Sequence, residues 1–217
     1  MTKPPRKLPE TASIAIPQSG AMLHAPSAMR NIEPILQAIT PLVPLSGRAL
    51  EIASGTGEHM ARYAAAFPRL QWQPTDIEPA RLASIDAWGA GLANLLPAKH
   101  LDASQRGWAN NWPSQDLILL SNLLHLISEA EAATVLTEAA RALAAGGVHI
   151  IYGPFMRGAD FASEGDQRFH ESLRAEDADI GYKPFEWVQS LLREAGLQAE
   201  LPLDMPANNL LLVAKKP

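Results

Sequence analysis

The feature that most constrains the fold is a regular alternation of short apolar runs with amphipathic helical stretches. Residues 48–53 form a first strand-sized run, and 57–67 follow with Met60, Tyr63, Ala64 and Phe67 at helical spacing, stopped by Pro68. Residues 70–75 and 78–89 repeat the pattern, and 95–101 form a weaker third strand. Residues 116–121 are a continuous Leu/Ile run of the kind buried on both faces of a parallel sheet. A helix over 128–144 comes next, with Ala133, Leu136, Ala140 and Leu143 on one face and Ser128 with Glu131 as a capping box. A fifth strand over 148–152, a helix over 184–195 and closing strands over 197–202 and 209–215 complete the series. Such alternation predicts an open, mostly parallel α/β sheet with right-handed crossovers and helices on both faces. Ligands of such sheets sit beyond the carboxyl ends of the strands.

The rest of the chain departs from this rhythm. Residues 1–25 are rich in Pro, Ser and Thr and read as an irregular N-terminal arm. Residues 26–217 read as a single domain. It opens with a cover helix over 26–43, which Ser27 would cap, Pro34 would kink and Pro41 and Pro44 would end. Residues 153–183 are polar, glycine-punctuated and dotted with Phe155, Phe161 and Phe169, and read as a lid-like insertion.

Composition removes whole classes of function. The net charge of −5 and pI of about 5.7 lack the basic footprint of a nucleic-acid binder, so no nucleic-acid partner is expected. There is no cysteine, which excludes disulfides, thiolate metal sites and cysteine nucleophiles. No run approaches the roughly 20 apolar residues of a membrane span, and no signal core follows the basic start. The expectation is a soluble cytoplasmic protein, monomer or homodimer, with no membrane partner. His24, His59, His100, His149 and His170 show no metal-ligand spacing, so no metal site is expected.

Chemistry concentrates at the strand ends. After the first strand stands Glu51-Ile52-Ala53-Ser54-Gly55-Thr56-Gly57, opening a helix. Small residues there let the backbone approach a ligand, and a helix N-terminus offers free N–H donors. A phosphate loop would need Lys and Ser/Thr where Glu58 and His59 stand. A dinucleotide loop would need glycine where Met60 stands. The carboxylates of Glu51 and Glu58 suit a cationic nucleoside such as S-adenosylmethionine better. Asp76 ends the second strand, where it is placed to hold ribose hydroxyls or to cap the next helix. Asp102 and Ala103 follow the third strand, where Asp102 is placed to receive the adenine amino group or to stand as a surface residue at a loop start. Asn122 and His125 follow the fourth and face the reacting end, with His125 a candidate base or a packing histidine.

Together these residues resemble class I S-adenosylmethionine-dependent methyltransferases, with Ala53 in place of the first motif glycine. A closer resemblance covers nearly the whole chain. It rests on His24–Ala28 with Arg30–Leu36, on 50–59, on Trp72-Gln73-Pro74-Thr75-Asp76, on Tyr152-Gly153-Pro154-Phe155, and on Met205–Leu210. Those five pieces in this order resemble the DUF938 (UPF0585) methyltransferase-like family, in which Ala53 is the usual form. The resemblance implies a Rossmann-like seven-stranded sheet in the order 3-2-1-4-5-7-6 with the last strand antiparallel. It implies S-adenosylmethionine as cofactor, held by Arg30, Glu51, Ala53, Ser54, Gly55, Gly57, Asp76, Ile77, Asp102, Ala103 and Asn122. The implied activity is in-line methyl transfer to a small molecule. His125 and Tyr152 are the candidate catalytic groups, and Asn31, Asn122, His125, Tyr152, Phe155, Asn208 and Asn209 the candidate acceptor wall. The alternatives are a non-catalytic binder of the same cofactor and an NAD(P)-dependent oxidoreductase, the latter disfavoured by Glu58 and Met60.

Overall fold

The computed structural model describes residues 14–217. The part of the N-terminal arm before Ile14 lies outside the described residues. From there the arm is not irregular: β1 (Ile16–Ser19) and β2 (Met22–His24) form an antiparallel hairpin. Gly20 at φ +56° makes its tight turn. The hairpin is tied down by side chains rather than by sheet partners. Leu23 N donates to Ser84 Oγ at 2.8 Å, and Trp88 Nε1 donates to Leu23 O at 2.8 Å. That tertiary origin is why no local periodicity announces it.

Helix α1 (Pro26–Ile39) follows, with Pro26 in its first turn and Pro34 inside it. Ala25 takes the capping position in place of Ser27, and no side chain of the helix caps it. Then come β3 (Gly47–Ile52), α2 (Glu58–Ala66), β4 (Leu70–Asp76), α3 (Pro79–Trp88), β5 (Lys99–His100), β6 (Gln115–Ser121), α4 (Glu129–Ala142) and β7 (Leu143–Pro154). Ser128 and Glu131 form the expected capping box on α4. The chain continues with α5 (Glu164–Glu176), α6 (Phe185–Glu194), β8 (Gln198–Ala199), β9 (Leu203–Asp204) and β10 (Asn209–Lys215).

The main sheet runs β5-β4-β3-β6-β7-β10-β8, with β9 also on β10. Pairings from β5 to β7 are parallel, and β10 is antiparallel to β7. This is the order 3-2-1-4-5-7-6 of a Rossmann-like methyltransferase fold. The third strand is shorter than its apolar run: residues 94–96 bond Trp72, then Pro97 removes a donor and only Lys99–His100 pair as a strand.

The period of two in each strand sorts side chains to two cores. Leu50, Ile52, Ile118, Leu120 and Ile151 face α4 and α6. Ala49, Leu117, Leu119, Ile150 and Tyr152 face Ile35 and Ile39 of α1 and Met60 and Tyr63 of α2. By the same alternation Glu51 and Ser121 lie on the α1/α2 side, and Ser121 is register partner of Tyr152. Three neighbouring strands therefore deliver Glu51, Ser121 and Tyr152 to one face at the carboxyl edge. Among the described residues no helix is long and apolar enough to cross a membrane.

Candidate functional site

The loop between β3 and α2 is closed by hydrogen bonds to the end of β4. Ser54 N donates to Thr75 O at 2.8 Å, and Thr75 Oγ1 donates to Glu51 O at 2.7 Å. Gly55 N donates to Asp76 Oδ2 at 2.9 Å. The other oxygen of Asp76 accepts from Ile77 N and Glu78 N, at 2.8 and 3.0 Å. Burial raises the Asp76 pKa, while these donors and the Arg81 charge oppose that rise. Asp76 thus organises the loop and the start of α3 while one side of it lines a cavity.

That cavity encloses about 170 Å³ at the carboxyl edge. Of the residues expected to hold a cofactor, Glu51, Ala53, Ser54, Gly55, Asp76, Ile77, Asp102, Ala103 and Asn122 line it. Asp102 is shaped by its own turn, accepting from Ser104 N at 3.1 Å and Ser104 Oγ at 2.6 Å. Ala53 and Asn122 stand at φ +55° and +54°, where the chain leaves β3 and β6. Apolar Leu123, Leu126, Ile127 and Val135 also line it, as do Ile14, Ala25 and Ala28.

Glu51 is the electrostatic centre. Its carboxyl is 1% exposed, and its Oε2 has no hydrogen-bond partner. Burial pushes its pKa up to about 7, opposed by a Ser54 hydrogen bond and assisted by the Asp76 charge. A buried carboxylate with an orphan oxygen is unfavourable unless a cation or donor completes it. The cavity therefore has a built-in demand for positive charge at this point.

Other expected residues lie elsewhere, each for a visible reason. Gly57 caps α2 at φ +93°, and an added Cβ would stand 2.7 Å from Ile85 Cα. It is there for the close packing of α2 on α3 and does not line the cavity. Glu58 turns away from the cavity and accepts from Ala25 N at 2.7 Å and Thr56 Oγ1 at 2.9 Å, and bonds His24 Nδ1 at 2.7 Å. It fastens the N-terminal segment to the loop. Arg30 is exposed on α1 and outside the lining.

His125 is buried beside Phe169 and Tyr182, with ring centroids 6.0 and 6.1 Å away. Burial and the Lys183 charge lower its pKa to about 3. It packs the cluster beneath α5 and does not line the cavity, so its place is that of a packing histidine. Phe155 is buried in the α4/α6 core. Asn208 donates to Asp166 Oδ2 at 2.9 Å, and Asn209 Nδ2 donates to Pro206 O at 3.0 Å, so both shape the turn into β10. None of residues 153–183 lines the cavity; Phe161 and Phe169 turn toward Tyr182 instead.

Asn31 and Tyr152 stay close to the site through a residue that sequence reasoning passed over. His59 lines the cavity, and its Nε2 lies 2.8 Å from Asn31 Oδ1. Asn31 in turn hydrogen-bonds the Tyr152 hydroxyl, an interaction that opposes the upward effect of burial on the Tyr152 pKa. Arg81 and Ser104 also line the cavity unforeseen. The signal for His59 was its place in the first turn of α2, directly after the small-residue loop.

The fold has many relatives among solved structures. An O-methyltransferase family protein from Burkholderia thailandensis superposes with a TM-score of 0.72 at 20% identity, over 88% of this chain and 57% of that one. Human N-acetylserotonin methyltransferase in complex with SAM gives 0.73 at 14% identity, over 88% and 52%. The SAH-bound methyltransferase CalO1 of calicheamicin biosynthesis gives 0.69 at 16% identity, over 88% and 55%. The chain thus spans little more than half of each relative's length, and at these identities the likeness is one of fold. The sequence itself matches the family model "Protein of unknown function (DUF938)" over residues 22–216, and the chain belongs to that family.

Proposed function

We propose that the protein is an S-adenosylmethionine-dependent methyltransferase acting on a small molecule. The observation that carries this reading is the orphan oxygen of buried Glu51, at the head of a cavity also lined by Asp76 and Asp102. The donor set fits a cationic nucleoside. Glu51 meets the positive charge of the amino-acid portion, Asp76 holds ribose hydroxyls, and Asp102 with Ala103 borders the base. The apolar lining of Leu123, Leu126 and Ile127 takes the flat face of a purine. A pyrophosphate in place of the cationic amino-acid portion would meet the Glu51 carboxylate and be repelled, which disfavours a nicotinamide dinucleotide. When bound, the cofactor supplies a methyl carbon activated by a sulfonium leaving group. The protein's work is then to hold the acceptor in line and keep water out.

Ala25, Ser27 and Ala28 line the cavity, which supports a covering role for the N-terminal segment and α1. Isothermal titration with S-adenosylmethionine, S-adenosylhomocysteine and NADH tests the reading. The first two should bind and NADH should not. Binding of NADH alone, or of none of the three, would sink it.

A further inference from the structure

Near α1 the cavity wall changes character. Ile14, Ala25 and Ala28 are apolar or small, and His59 is the one imidazole in the lining. The His59 ring is oriented by its neighbours. Asn31 presents its carbonyl oxygen to Nε2 at 2.8 Å, so Nε2 must carry the proton and donate. The amide nitrogen of Asn31 is then left for the Tyr152 oxygen, in keeping with its effect on that phenol. Nδ1 is thereby unprotonated, and it has no hydrogen-bond partner among the described residues. Ser121, the register partner of Tyr152, lines the same cavity. The relay Tyr152–Asn31–His59 spans β7, α1 and α2, three elements that the fold brings to one edge.

We propose that His59, oriented by Asn31 and Tyr152, accepts the proton of a hydroxyl group on a small uncharged methyl acceptor seated beside Ala25, Ala28 and Ser121. The proposal rests on the methyltransferase reading above. The hydroxyl oxygen forms the new bond to the methyl carbon. The carbon–sulfur bond of the sulfonium donor breaks with its electron pair left on sulfur. The hydroxyl proton passes to His59 Nδ1 and then to solvent.

Acceptor class follows from the base and the walls. Burial lowers the His59 pKa to about 4, against the opposing pull of Glu58, so the imidazole is neutral at pH 7. So weak a base does not take a proton from a resting alcohol. It readily takes one from an oxygen that is already bonding to a methyl group and has become an oxonium. An alkylammonium, with its much higher pKa, would keep its proton, so the site favours oxygen over amine nucleophiles. The buried Glu51 carboxyl on the same face disfavours an anionic acceptor. Tyr152 and Asn31 are positioning residues in this scheme; Asn31 holds His59, and Tyr152 meets Asn31.

Imidazole nitrogen NMR on the full chain tests the proposal without depending on turnover. In the wild type, His59 should show a protonated Nε2 and a bare Nδ1, and Asn31→Ala should release that tautomer. With S-adenosylhomocysteine bound, titration with phenol as probe should shift the Nδ1 resonance. His59→Gln retains a donor for Asn31 but lacks the Nδ1 acceptor. It should bind S-adenosylhomocysteine like the wild type, yet lose about 100-fold or more in label transfer from methyl-labelled S-adenosylmethionine to a pool of simple phenols and alcohols. A protonated Nδ1, a phenol titration that leaves Nδ1 in place, or equal transfer by His59→Gln and wild type overturns the proposal. A wild type that binds S-adenosylhomocysteine but labels no hydroxyl in the pool overturns the acceptor class. A wild type that fails to bind S-adenosylhomocysteine overturns the cofactor reading instead.

Discussion

At the scale of single residues, the role proposed for Glu51 would link ligand binding to protons. Its carboxyl is half-protonated near pH 7 in the free protein because burial opposes the charge. A cationic ligand reverses that preference and drives the proton off. Binding of S-adenosylmethionine below pH 7 should therefore release close to one proton, and the release should vanish well above pH 7. Titration calorimetry in two buffers of different ionisation heat reads the number directly. Glu51→Gln should bind more weakly and release none; the same proton count in both proteins would remove Glu51 from the account. Two neighbouring substitutions should move stability in opposite directions. Gly57→Ala meets φ +93° and a contact of 2.7 Å with Ile85 Cα, and should cost at least about 2 kcal/mol. Ala53→Gly relieves a methyl-bearing residue at φ +55°, offset by unfolded-chain entropy, and should gain between zero and about 1 kcal/mol. Thermal melting of the two variants compares them. A short motif reveals residue types but not directions. Glu51, Asp76 and Asp102 could be picked out because a strand end fixes where they stand. Gly57, Glu58 and His125 lie off the cavity because each turns toward a helix or segment distant in sequence, which for His125 is the packing alternative.

At the scale of elements, the strands and their order were legible because period-two apolar runs on both faces leave few alternatives. The hairpin of β1 and β2 was not, since its anchors are Ser84 and Trp88, about 60 positions away. The same distance hid the fastening of that segment to the loop. Glu58 receives Ala25 N and Thr56 Oγ1 and pairs with His24, so one carboxylate joins the start of α1 to the start of α2. Glu58→Ala leaves Ala25 N without its acceptor at a partly buried site and should cost about 1–3 kcal/mol. The loss should be local. Amide exchange should rise over residues 22–28 and much less over β6 and β7, and S-adenosylhomocysteine should bind more weakly because Ala25, Ser27 and Ala28 wall the cavity. Unchanged exchange at 22–28 would mean that Ser84 and Trp88 suffice to hold the segment.

At the scale of the whole molecule, buried imidazoles should set the acid limit of the fold. His59, His125 and His149 are neutral in the folded state, with pKa values lowered by burial to about 4, 3 and 4. Unfolding returns each to about 6.5, so between pH 6.5 and 4 the unfolded chain binds more protons and stability falls as pH falls. Glu51 acts the other way in the same window. Its folded pKa of about 7 exceeds the unfolded 4.5, so the folded state holds the extra proton and stability falls as pH rises. Near pH 5.5 three imidazoles take up protons on unfolding while one carboxyl gives one up, a net uptake of about two. Stability should then drop by roughly 2–3 kcal/mol for each unit of acidification. His125→Phe removes one titrating group while keeping a ring against Phe169 and Tyr182, and should flatten that slope by about 1.4 kcal/mol per unit. Glu51→Gln should steepen it by a similar amount, since the opposing carboxyl is gone. Denaturant titrations from pH 7 to 5 measure all three slopes. If the His125→Phe slope matched the wild type, the imidazole would already be charged in the folded protein. A charged ring in that position would need an acidic partner beneath α5, and the group that faces it there is the ammonium of Lys183.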